Sequence, residues 1–183
     1  NGKKIGGSGY ATYRLSIKLN KKYKGSILTL KIPFIGTAYK LWINSELLSE
    51  NGAVGKSFEE SKPQYLCITK SFIVEEENMI ITIHASNFHH RKGGIRSNSL
   101  ILGSEDHVQN FITHNNIYIF FLLGSLVIMS LYHFGLFILR RDDYSALIFG
   151  IFCLLVGFRL FFTVEMWLTY IFPDLDWYMM YRF

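Results

Sequence analysis

The nine residues Ser86 to Gly94, SNFHHRKGG, bring an amide, two adjacent histidines, an arginine, a lysine and a double glycine into one short stretch. Three chemistries fit such a run: a metal site, a clamp for an anion or a sugar, or a polar connection between two strands. Metal binding needs ligands that converge on one point. Adjacent histidines on an extended backbone point to opposite faces, so at most one of His89 and His90 serves a given site. His84 falls on the other face from His89 if the strand continues. No metal site is therefore expected. An anion or sugar site has more to work with. Arg91 offers a planar fork of donors, Gly93 and Gly94 let a ligand approach the backbone, and Asn87 and His89 can donate to or accept from hydroxyls. A self-satisfied polar turn remains the plainest alternative.

A second candidate is Trp42. In the alternating run AYKLWIN, Tyr39, Leu41 and Ile43 share one face, which leaves Trp42 on the other, where it could stack on a sugar ring or pack against another element. No GxGxxG, P-loop, HExxH or GxSxG motif occurs, and no nucleophile lies near a base in sequence order. No catalytic residue and no cofactor is expected, and any enzymatic activity would belong to a domain outside this chain. Cys67 lies in a strand-like run and Cys153 in an apolar one, which argues against a disulfide framework or a thiolate metal site.

The elements that must position these residues divide the chain in two. Residues 1–116 carry fifteen Lys/Arg against nine Asp/Glu, a net of +6, whereas residues 117–183 carry four against five, a net of −1. The basic part suits anionic partners or lipid head groups, or simply a solvated face; nucleic acid is not an expected partner. In it, YATYRLSIKL places Ala11, Tyr13, Leu15, Ile17 and Leu19 on one side, and SILTLKIPF repeats the pattern with Leu28, Leu30, Ile32 and Phe34. YLCITKSFIV, NMIITIHAS and SLILG add three more β-rich runs, and Asn44 in NSE marks a tight turn. Many short strands with polar turns predict an antiparallel β-sandwich, of jelly-roll or galactose-binding-like type, over residues 1–110.

Residues 111–183 read as a transmembrane region. Ile117 to Leu139 contains 23 residues without a formal charge, enough to cross a ~30 Å hydrocarbon core with some tilt. A second span is expected over about 144–172, and the start of a third near 177–183. Arg140 and Arg141 in the short RRDD loop favour a cytoplasmic loop, which puts the sandwich outside the cytoplasm. In the second span Ala146, Gly150, Cys153 and Gly157 form one narrow face suited to close helix packing. Arg159 lies about 200° around from that face at 100° per residue, and with Glu165 and His133 it is a candidate functional intramembrane residue. A two-helix hairpin would not comfortably cover both the small face and the arginine. Further helices, or an oligomer such as a homodimer of hairpins, are expected. The chain also starts with Asn1, and the true amino terminus is expected upstream.

The order of YRL (Tyr13 to Leu15), AYKLWINSELL, GAVGKS, SNFHHRKGG, LYH (Leu131 to His133), RR and Arg159 resembles the bacterial seven-transmembrane receptors with diverse intracellular signalling modules. The resemblance runs over most of the chain. It departs from the family in lacking the start of the sandwich, in stopping near a third helix, and in carrying no output domain. It implies a multi-pass protein of the bacterial inner membrane, with a carbohydrate-binding-like sandwich in the periplasm or outside. That sandwich would bind a small molecule or glycan and relay through the bundle to a cytoplasmic signalling domain in the full-length protein. The competing expectations are a membrane-tethered binding or adhesion module without output, and a transporter or membrane-enzyme subunit with an outer cap.

Overall fold

In a computed structural model, which describes residues 7–64, 66–95 and 100–163, the chain forms two compact units, Asn1–Gln109 and Asn110–Phe183. Among the described residues the first holds nine strands: β1 Gly9–Lys18, β2 Ile27–Ile32, β3 Ile35–Gly36, β4 Ala38–Ile43, β5 Glu46–Asn51, β6 Ile68–Ile73, β7 Asn78–Asn87, β8 Gly94–Ile95 and β9 Ile101–Gly103. A four-stranded sheet in the order β1-β7-β4-β5 and a three-stranded sheet in the order β6-β2-β9 are antiparallel throughout, and β3 and β8 pair as a separate two-stranded ribbon.

Alternation explains the two layers. Tyr39, Leu41 and Ile43 of β4 and Met79, Ile81, Ile83 and Ala85 of β7 bury their side chains against Leu30 and Ile32 of β2, with Ile35 beside them. Each fully buried aliphatic side chain contributes roughly 1.5–3 kcal/mol relative to exposure, so this shared core is what makes the sheets a sandwich. Asn44 takes the left-handed conformation, with φ 53°, between β4 and β5, and its side chain accepts the Ile80 N–H at 2.9 Å. The turn is thereby locked to β7.

The strand β5 is absent from the sequence reading, and its burial shows why. Its inward positions are the polar Ser49 and Asn51, while Leu47 is exposed. A register shift between Leu41 and Trp42 further blurs the pairing. Ser49 lies 3.3 Å from the Tyr39 hydroxyl, and the Asn51 side-chain nitrogen donates to the Gln64 carbonyl at 3.1 Å, while the Asn51 side-chain oxygen is buried without a hydrogen bond.

The second unit holds α1, Glu105–Leu139, which begins in the first unit, and α2, Tyr144–Thr163. At 35 residues α1 is ~52 Å long; it includes the charge-free run from Ile117 and starts twelve residues earlier, in EDHVQNFITHNN. Asp143 caps α2 by accepting the Ser145 N–H at 3.1 Å. The small face of α2 packs on α1. Ala146 and Cys153 are buried, Ser130 donates to the Gly150 carbonyl at 2.8 Å, and a Cβ on Gly150 would lie 2.8 Å from the Phe134 ring. The expected end of the second span and the start of a third, with Glu165, lie outside the described residues.

Burial pushes the Tyr39 hydroxyl from its ordinary 10.0 up to about 12, partly offset by Ser49. In the unfolded chain the hydroxyl ionises first. Above pH 10 the folded state therefore holds more protons than the unfolded one, and stability falls as pH rises. The contribution is complete below pH 10 and lost through about 12. Denaturant melts of the parent and Tyr39→Phe should show the parent losing about 1.4 kcal/mol per pH unit more than the variant in that window. Parallel slopes would contradict this.

Candidate functional site

The SNFHHRKGG stretch leaves β7, turns, and returns as β8. Asn87, buried at the end of β7, holds the turn. Its amide donates to the Gly7 carbonyl and, at 2.6 Å, to the His90 carbonyl, while its oxygen accepts the His90 N–H at 3.1 Å. Both amide hydrogens are thus committed to backbone. His90 folds over the turn, with Nδ1 at 2.9 Å from the Lys92 nitrogen and 2.6 Å from its oxygen. His89 points elsewhere. Its Nε2–H donates to the Ser61 carbonyl at 2.8 Å, and its ring lies 4.3 Å from that of Phe58. The two histidines therefore diverge. Among the described residues no group of three His, Cys, Asp or Glu could hold a metal ion.

The glycines do something different. Gly36, Gly93 and Gly94, together with Asn87, Ala85 and the start of β1, line a pocket of about 130 Å³. In the β1–β7 register Gly9 faces Asn87, Ala11 faces Ala85 and Tyr13 faces Ile83. The pocket exists because two of these three β1 positions have no bulk. The ribbon wall is equally bare: a Cβ on Gly93 would sit 2.5 Å from the Asn87 Cβ, and one on Gly94 would sit 2.7 Å from the Tyr13 hydroxyl oxygen. Gly94 also has φ 78°, a conformation that L side chains rarely adopt.

Of the sequence candidates, Asn87, Gly93 and Gly94 converge here. His89 and Arg91 are not among the lining residues, and Arg91 is exposed. Trp42 lies on the outer face of the four-stranded sheet, half-buried, with its ring 4.6 Å from that of His84. It is separate from the pocket. Sequence reasoning missed Tyr13, Tyr10, Gly7, Gly9 and Gly36. The one available signal was GGSGYA, where glycine and alanine occupy positions that an amphipathic strand would fill.

In the helices, His133 is half-buried. Its Nδ1–H donates to the Met129 carbonyl at 2.9 Å, and its ring lies 4.5 Å from Phe149. Arg159 is exposed on α2, away from the packed small face.

No family model matches the chain, and no curated protein matches it. Among solved structures it is similar over about half its length to parts of larger glycosidases. One is a glycosyl hydrolase family 2 member from Bacteroides cellulosilyticus, with TM-score 0.40 and 13% identity over 52% of this chain and 13% of that one. Another is a β-galacturonidase of that family from Eisenbergiella tayi bound to galacturonate, with TM-score 0.39 and 13% identity over 53% of this chain and 17% of that one. A β-glucuronidase from Faecalibacterium prausnitzii gives TM-score 0.33 and 14% identity over 45% and 12%. The chain spans less than a fifth of each, and nothing of their activity transfers to it.

Replacing Asn87 by alanine leaves the Gly7 and His90 carbonyls and the His90 N–H without their partner. Urea unfolding of the sandwich should register a loss of about 2 kcal/mol. A loss below half a kilocalorie would show that the turn is not held by this side chain.

Proposed function

We propose that the chain is the sensory portion of a bacterial inner-membrane receptor. In this reading the β-sandwich faces outward and binds a ligand in the pocket between β1, β7 and the β3–β8 ribbon. The helices span the bilayer and relay the bound state to a cytoplasmic output domain. The observation that carries this reading is the exposure of two long apolar helices in the same chain as a pocket-bearing sandwich. Only 6% of the most apolar window of α1, and 22% of that of α2, is buried. A soluble core helix would be covered; these present Phe, Leu and Ile outward, which water does not tolerate but lipid does.

The resemblance to the bacterial seven-transmembrane receptors agrees with this order of parts, and Arg140 and Arg141 between the helices favour a cytoplasmic loop. Within such a bundle Arg159 has a natural role. A charge near mid-membrane costs at least ~2.5 kcal/mol if left in lipid, so it favours whichever helix arrangement gives it polar company. A ligand shifts the balance between two arrangements only if it binds them unequally.

Expressed in bacteria, the chain should stay in the membrane pellet after alkaline carbonate extraction. A fluorescent protein inserted between Arg141 and Asp142 should fluoresce, while alkaline phosphatase at the same position stays inactive. Active phosphatase there would put the sandwich on the cytoplasmic side and overturn the outward-facing sensor. A carbonate-soluble chain would overturn the membrane reading altogether.

A further inference from the structure

We infer that the pocket takes the terminal residue of a neutral saccharide, with Tyr13 as its stacking platform. This rests on the reading of the sandwich as a ligand-binding domain, and it narrows the chemistry of the ligand.

Of the twelve described residues that line the pocket none is acidic or basic, and nine are glycine, alanine or serine. An ionised ligand would lose its hydration with no opposite charge to replace it, and uncompensated burial of charge is the costliest event a site can impose. The neighbouring cations, Arg91 and Lys92, are exposed and not part of the lining. Two of the polar side chains in the wall are already engaged. The Asn87 amide holds Gly7 and His90, and the Ser86 hydroxyl lies 3.1 Å from that of Ser61 and accepts the Gly55 N–H at 3.3 Å. Ser8, the tyrosine hydroxyls and glycine backbone remain to offer neutral hydrogen bonds. That is the complement of a polyol rather than of a carboxylate, phosphate or ammonium group.

The size fixes how much of the ligand enters. A volume of about 130 Å³ is the share of roughly four liquid waters, well below the ~300 Å³ at which sites begin to enclose a drug-sized molecule. One sugar ring can insert an edge; a longer chain must run outward. Tyr13 stands where that ring would lie. It is 41% exposed although it shares the inward face of the sheet with buried Ile83, because β1 is the edge strand of its sheet. An aromatic ring flanking a glycine-walled recess gives the apolar C–H face of a pyranose a surface to cover, while its hydroxyls reach backbone.

The test uses the full chain in lipid nanodiscs, with saturation-transfer NMR and calorimetry. The probes are the methyl glycosides of glucose, galactose, mannose and N-acetylglucosamine, with methyl glucuronide as the charged counterpart. At least one neutral glycoside should bind in the millimolar range, and the glucuronide at least tenfold more weakly. Tyr13→Ala should weaken the neutral probe at least tenfold, Tyr13→Phe should keep most of the binding, and Ala11→Leu, which fills the pocket, should abolish it. Trp42→Ala should change nothing. Thermal melts of each variant separate a lost site from a lost fold. Three results would overturn the inference: glucuronide binding as tightly as the neutral probes, neutral binding that survives both Tyr13→Ala and Ala11→Leu, or no binding of any glycoside. Carbonate extraction of the same preparations shows separately whether the membrane-sensor reading stands.

Discussion

Apolar surface has to be covered, and the two units of this chain meet that requirement differently. The sandwich covers a core from within. Leu30, Ile32, Tyr39, Leu41, Ile81 and Ile83 interlock between two sheets, out of water. The helices do not. Beyond the seam where Gly150 meets Phe134 and Ser130, α1 and α2 expose Phe121, Ile128, Leu131, Phe152 and Leu155. Leaving that surface in water costs roughly 25 cal/mol for every square ångström. A hydrocarbon environment would remove the cost, and the proposed membrane location rests on that.

The pocket follows from the opposite condition, a place where bulk is withheld. Along most of its length the β1–β7 pair follows ordinary alternation. At its upper end Gly9 and Ala11 replace larger residues, and Gly36, Gly93 and Gly94 strip the facing ribbon. Asn87 prevents collapse by fixing the first and last segments of the wall to each other through Gly7 and His90. The glycines are therefore wall rather than loose loop, and the histidines and arginine beside them serve the turn or the surface.

Period and length made part of this legible in the sequence. Alternation located β1, β2 and β4 and their inward residues, β-rich composition located β6, β7 and β9, and long apolar runs located both long helices. What stayed hidden depends on long-range pairing. The strand β5 carries the polar Ser49 and Asn51 inward, where Tyr39 and the Gln64 carbonyl meet them, so its pattern has no apolar period. The strands β3 and β8 are two residues each and exist only as each other's partner. The pocket is made by small residues, which contribute nothing to a hydrophobic pattern. Of the candidates in SNFHHRKGG, Asn87, Gly93 and Gly94 form part of the wall, whereas His89 and Arg91 do not. The expectation that α2 would pack through Ala146, Gly150, Cys153 and Gly157 follows from geometry alone and is met in the helix pair.

The account stands on lipid covering the outer faces of α1 and α2. Nitroxide labels at Phe121 and Phe152, both exposed on the helices, report this directly through power saturation in bilayers. The account predicts that both labels relax more with oxygen, which partitions into hydrocarbon, than with a water-soluble nickel chelate, and that a label at Ser16 on the sandwich shows the reverse. Greater accessibility of Phe121 and Phe152 to the nickel chelate would place those faces in water and contradict it.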